Sequence, residues 1–192
     1  MKSWHRYALA VAAGLAIGGG MAWHATGNGF RSGAVTNGAW STSLDYGTKA
    51  SDELTRAAVA RRGLLALPKT ETVYWAASTD SSGAPLDGSC TYSVSGVAPD
   101  SRWWSITLYD KEGYLIANPA NIWSFSGAAL SPAEKGNLRL TIGPKRPAAG
   151  HWLPGAPKQG FELTLRMYNP GAAFMKDPAR APLPVLKKEG CA

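Results

Sequence analysis

The spacing of apolar residues changes three times along the chain, and each change predicts a different element. From Tyr7 to Met21 there is no charged residue at all. Further on, Leu54, Ala58 and Leu65 recur at helical spacing. Ser51 is placed as an N-cap, with Asp52 and Glu53 in the first turn and Arg61 and Arg62 in the last. Gly63 lies near the stop, and Pro68 forbids continuation. These residues predict one amphipathic helix packed on a sheet, with an exposed partner-binding helix as the alternative. After Pro68 the period becomes two. Val73, Trp75 and Ala77 alternate with Thr72, Tyr74 and Ala76, and Cys90, Tyr92 and Val94 repeat the pattern. Trp104, Ile106 and Leu108 face one way, Trp103, Ser105, Thr107 and Tyr109 the other. Leu138, Leu140 and Ile142 mark another strand, and Phe161, Leu163, Leu165 and Met167 the last. Asp110-Lys111-Glu112-Gly113 reads as a hairpin connection in which Gly113 takes positive φ. Short alternating strands between frequent turns predict a mainly β domain, an antiparallel β-sandwich or jelly-roll-like fold.

The uncharged N-terminal stretch predicts a single transmembrane helix. Trp4 and Trp23 bracket it, and in a helix they stand roughly 29 Å apart, close to the thickness of a bilayer core. Indoles at both ends suit the two interfaces, and Lys2 and Arg6 ahead of the segment favour a cytoplasmic N-terminus. A cleaved signal peptide is the rival reading, with Gly20-Met21-Ala22 as its small-residue site. Export holds under both. Gly14 and Gly18 form a GxxxG spacing that lets membrane helices approach, although an Ala/Gly-rich segment produces that spacing by chance. Residues 1–24 are thus the stub and anchor, 25–50 a linker rich in Gly, Ser, Thr and Asn, and 51–192 the exported β-rich domain.

Composition adds a few exclusions. Hydrophobic residues make up 45% and charged residues 17%, the balance of a folded chain rather than a disordered one. The net charge of +7 is spread over isolated pairs such as Arg61 and Arg62, Lys145 and Arg146, or Lys187 and Lys188. A nucleic-acid surface clusters its basic residues in one stripe, so nucleic acid is not an expected partner, and the charge suits anionic envelope surfaces instead. The two cysteines, Cys90 and Cys191, fit an oxidising compartment, where a disulfide closing a loop of about 100 residues would stabilise by up to ~4–5 kcal/mol. Two separate thiols are the alternative. With no CxxC, no HExxH and three His, no metal or other cofactor is expected.

Three ordered blocks carry a family resemblance. Trp104-Ser105-Ile106-Thr107-Leu108-Tyr109-Asp110 with Gly113-Tyr114-Leu115 is the first, and Asn118-Pro119-Ala120-Asn121-Ile122-Trp123-Ser124 the second. The third comprises Trp152-Leu153-Pro154, Phe161 and the run from Leu163 to Pro170. Together they resemble the Domain of Unknown Function 1214 family over residues 102–186. The resemblance implies a C-terminal β-sandwich of bacterial, mostly exported proteins, and no activity. Many members carry a larger domain upstream. His151 stands where Asn is commoner, and Trp123 where Tyr is usual. Segment and resemblance together place the chain in the bacterial inner membrane, single-pass, with the domain in the periplasm.

Arg166 is the sharpest candidate for function. It shares the polar side of its strand with Glu162, Thr164 and Tyr168, and a positioned guanidinium there can hold a carboxylate, a phosphate or sugar hydroxyls. The plainer reading is a solvated arginine paired with Glu162 or Asp110. Asn118 and Asn121 either fix their own turn or rim a pocket. Trp103, Trp104, Trp123 and Trp152 are a candidate stacking platform, with Trp104 expected in the core. Tyr109, on the other side of its strand from Trp104, Ile106 and Leu108, is also a ligand-binding candidate. As an enzyme the chain looks poor: it has no GxSxG elbow, phosphate loop or dinucleotide fingerprint, and His151 is the only imidazole beyond the anchor. The expectation is a non-catalytic membrane-tethered module that binds a glycan, a small molecule or an envelope protein. An enzyme acting on an envelope component is the first alternative, with Asp110, Glu162, Arg166 or His151 in its site, and a scaffold is the second.

Overall fold

The computed structural model describes residues 3–27, 33–61, 64–155 and 159–191. Helix α1 (Ser3–Gly27) comes first, with no buried residue and a mean hydropathy of 1.4 over its most apolar window, long and apolar enough to cross a membrane. Strands β1 (Ala34–Asn37) and β2 (Trp40–Ser43) follow, then α2 (Glu53–Arg61), β3 (Thr72–Ala77), β4 (Cys90–Gly96), β5 (Ser101–Asp110) and β6 (Ser124–Ser126). The chain continues through β7 (Leu138–Gly143), β8 (His151–Pro154), β9 (Phe161–Pro170), a short α3 (Ala172–Lys176) and β10 (Val185–Cys191).

The strands form two sheets. One has six strands in the order β1-β2-β3-β9-β5-β6, and the other has four in the order β10-β4-β7-β8. All pairings are antiparallel except β7 with β8, which is parallel, so the smaller sheet is mixed. The period-two pattern accounts for the core between them. Val73, Trp75, Ile106, Leu163 and Leu165 face inward from the larger sheet, and Tyr92, Val94, Leu140, Ile142 and Leu153 from the smaller one. Tyr92 and Phe161 meet edge-on at 5.7 Å, and Trp75 packs on Phe174 of α3 at 6.1 Å. At about 25 cal/mol per Å² of apolar area, this face-to-face burial is the main stabilising term of the domain.

Three expectations change. Residues 34–43, read as linker, form β1 and β2 at the edge of the larger sheet. Trp40 is the reason: its indole is buried, and Nε1 donates to the carbonyl of Pro184 at 2.7 Å. The cap of α2 is Asp52 rather than Ser51, because Asp52 Oδ1 accepts the amide of Thr55 at 2.7 Å. The helix buries Thr55 and Ala58, while Leu54 and Leu65 are exposed, and its principal neighbour among the elements is α1 rather than the sheet. Arg62, expected in its last turn, and Gly63, expected near its stop, lie outside the described residues, as does Lys2.

Cys90 and Cys191 are opposite each other on β4 and β10, joined as a disulfide with their Cα atoms 3.8 Å apart. The bond holds the last strand to the middle of the smaller sheet.

Candidate functional site

The outer face of the larger sheet carries the candidate site, and the register of β9 explains why. Arg166 sits between Tyr74 of β3 and Ser105 of β5, Thr164 between Ala76 and Thr107, and Glu162 beside Tyr109. Alternation sends Leu163, Leu165 and Met167 into the core, so Glu162, Thr164 and Arg166 must line up outside. The guanidinium leans along the sheet. Its Nη2 donates to the Tyr109 hydroxyl at 2.9 Å and its Nη1 to Thr107 Oγ1 at 3.3 Å. Its carbon lies 5.4 Å from the centre of the Tyr109 ring. Among the described residues no carboxylate forms an ion pair with Arg166, so the pairing with Glu162 or Asp110 expected of a plain surface arginine is absent.

Two further pieces turn this face into a cleft of about 200 Å³. On one side, Tyr46 meets Tyr74 edge-on at 6.3 Å, and Leu64 closes beside it. The Tyr74 hydroxyl donates to the carbonyl of Leu65 at 3.1 Å and accepts the amide of Leu67 at 3.4 Å, binding the 64–67 segment across the sheet. Gly47 permits the close approach: it has φ of 63°, and a Cβ there would stand 2.5 Å from the carbonyl oxygen of Ala66. On the other side is the β5 hairpin. Asp110 Oδ1 accepts the amides of Glu112 and Tyr114 at 3.0 and 2.8 Å, and Gly113 has φ of 91°. The hairpin sets Lys111 and Glu112 at the rim. Two cations and three carboxylates thus surround a floor of hydroxyl and aromatic groups.

Of the residues singled out from sequence, Arg166, Glu162, Tyr109 and Asp110 come together here. The others do not. Tyr168 lies further along β9 and packs edge-on against Trp103 at 5.4 Å. Asn118 fastens its own turn, accepting the amide of Ile122 at 3.1 Å and donating to the carbonyls of Ile116 and Ile122. Asn121, with φ of 54°, occupies the left-handed position of that turn. Trp152 belongs to β8 of the other sheet, where its indole donates to the carbonyl of Gly143 at 2.9 Å. Trp103, Trp123 and Trp152 therefore form no common platform, and Trp104 is in the core. His151 also lies on β8, 3.0 Å from Glu134. The Ser131 hydroxyl, its backbone amide and His151 together hold the Glu134 carboxyl below its ordinary value.

Sequence reasoning missed Tyr46, Tyr74, Lys111 and Glu112 as cleft residues. The outward position of Tyr74 was readable from its alternation with Trp75. Tyr46 carried no such signal, since it lies between elements.

Architecture and site define the class: a two-sheet β domain behind a membrane-length helix, with an arginine set in a tyrosine-walled cleft. The family described as Protein of unknown function (DUF1214) matches residues 71–172, more than half of the chain, and the chain belongs to that family. The match takes in β3 and β4, upstream of the resemblance that began at Arg102. Among solved structures, the VPA0106 protein from Vibrio parahaemolyticus is 24% identical with a TM-score of 0.58, covering 72% of this chain and 35% of that one. An uncharacterized protein from Burkholderia cenocepacia is 12% identical with a TM-score of 0.44, covering 62% of this chain and 29% of that one. The chain thus spans about a third of the length of either protein. No curated protein matches it.

Proposed function

We propose that the chain is a single-pass membrane protein whose exported domain binds a small polar ligand through an anionic group placed against Arg166. In this reading α1 spans the bacterial inner membrane with its N-terminus in the cytoplasm, as Lys2 and Arg6 ahead of it favour. The domain lies in the periplasm, an oxidising space that suits the disulfide.

One observation carries the binding reading. Arg166 is oriented by two hydroxyls and, among the described residues, by no carboxylate, in a cleft whose walls are tyrosines. A guanidinium held without an ion-pair partner is ready for an incoming carboxylate or phosphate. A tyrosine face beside it suits the apolar face of a sugar ring. The volume of about 200 Å³ limits the ligand to roughly one sugar or amino-acid unit. Asp110 and Glu162 share the cleft, which keeps an enzyme as the second reading. Asp110 already spends an oxygen on two hairpin amides, so binding without turnover is the stronger one.

The test is thermal unfolding of the full chain in detergent against uronic acids, sugar phosphates, N-acetylated sugars and amino acids. A ligand at 100 times its Kd adds about 2.7 kcal/mol of stability. Arg166→Ala should abolish that increment while moving the unliganded midpoint little. No increment across the panel, or one retained by Arg166→Ala, rejects the site. Product formed from a stabilising ligand decides for the enzyme.

A further inference from the structure

Arg61 makes contacts that the cleft does not explain. Its guanidinium carbon stands 3.6 Å from the centre of the Trp23 ring, near the C-terminal end of α1. Its Nη1 donates to the Trp23 carbonyl at 2.8 Å and to Thr26 Oγ1 at 3.2 Å. Gly27 leaves just enough space, since a Cβ there would lie 3.3 Å from that same nitrogen. Nε and Nη2 have no partner among the described residues, leaving part of a guanidinium donor fork open.

The rest of α2 continues the theme. Leu54, Ala57 and Arg61 recur at i, i+3 and i+7, so they share one face, and all three are exposed. Leu65, just beyond the helix, is 86% exposed, an unusual state for a leucine beside a packed cleft wall. A leucine and an alanine exposed on the same side as an arginine, with Glu53 and Arg56 exposed beside them, form a small version of the surface an interfacial helix presents to a bilayer.

We propose that α2 and Leu65 form a membrane-docking surface, with Arg61 bridging Trp23 to the phosphate of an anionic lipid headgroup. The proposal rests on α1 spanning a membrane. Tryptophan at the end of such a helix sits at headgroup level, and a guanidinium stacked on it at 3.6 Å sits there too. The open Nε and Nη2 then match two phosphate oxygens, as bidentate arginine–phosphate contacts require. Leu54 and Leu65 enter the acyl boundary beside it. The docked helix fixes the 64–67 segment, and with it one wall of the cleft, at the membrane surface.

The experiment uses the full chain in nanodiscs of phosphatidylcholine alone and of phosphatidylcholine with one-third phosphatidylglycerol, with amide hydrogen exchange followed over residues 53–61. Flotation with liposomes comes first; a chain that does not float overturns the anchor reading and the docking together. For a chain that floats, exchange over α2 should slow by about fivefold more in anionic than in neutral discs, the effect of one basic residue at such a surface. Arg61→Gln should erase that difference. If Arg61 only held α2 to α1, the substitution would speed exchange equally in both lipids and leave the lipid difference intact, which overturns the headgroup contact. Equal exchange of the unmodified chain in both discs overturns it as well.

Discussion

On the outer face of the four-stranded sheet, Ser93, Ser95 and Thr141 are half-buried, and Arg139 and Lys187 are exposed. On the outer face of the six-stranded sheet, Thr72, Ser105 and Thr107 are buried although their side chains are just as polar. What lies above them differs. Tyr46 and the 64–67 segment cross the larger sheet, and Arg166 and Tyr109 lie along it. On the smaller sheet the polar residues meet their own strand neighbours, as where Ser93 Oγ donates to Glu189 Oε1 at 2.6 Å. A polar strand face becomes a cleft when a second layer excludes part of the solvent, and a hydrogen bond or charge contact made there is screened less than on an open surface.

The largest effect that can separate the two sheets is on the disulfide. Cys191→Ser should lower stability by about 2–4 kcal/mol, measured by denaturant unfolding under oxidising conditions. Its local consequence belongs to the smaller sheet: β10 should lose amide protection against β4, while ligand-dependent stabilisation through Arg166 persists. A loss of the cleft together with β10 would show that the two faces are not separable.

Tyr74→Phe addresses the second layer itself. The ring stays, and only the hydroxyl contacts with Leu65 and Leu67 go. The expected cost is about 1 kcal/mol, with faster exchange confined to 64–67 and weaker ligand binding. An unchanged cleft affinity would mean that Arg166, Thr107 and Tyr109 suffice without the covering segment.

Acid should act first around the smaller sheet. Asp80 is held below the ordinary value chiefly by the Ser82 hydroxyl, Asp87 by the amide of Ser89, and Glu134 by the Ser131 hydroxyl. Each folded-state value is depressed, so each contribution is complete above the ordinary values of 3.8 and 4.5 and is lost as pH falls through the lower folded one. The effect is small. Exchange followed between pH 6 and pH 3 should show these turns loosening before β3, β5 and β9, and the reverse order would contradict the assignment.

Much of the fold was legible in the residues. Strands β3, β4, β5, β7 and β9 announce themselves by alternation, because burying one face of a sheet demands period two. The hairpin after β5 was legible for a local reason, since Asp110 closes it by accepting the amides of Glu112 and Tyr114. Strands β1 and β2 were not. Ala34–Asn37 and Trp40–Ser43 are short and polar, and they pair because Trp40 finds a slot beside Pro184, a partner distant in sequence. The helix α2 misled in detail for a similar reason. Leu54 and the following Leu65 look like core residues by spacing, yet Thr55 and Ala58 are the ones covered.

By itself, then, the sequence determined the membrane-length helix, the inward and outward sets of the main strands, and Arg166 on a polar face. These follow from local periodicity and from the cost of burying charge. Only the tertiary structure decided that Arg166 has hydroxyl partners instead of a carboxylate, that Tyr46 and Tyr74 wall the cleft, that Cys90 meets Cys191, and that Arg61 reaches Trp23. Each joins residues far apart in the chain, and the distance between such residues is set by sheet order and packing, which no local pattern encodes.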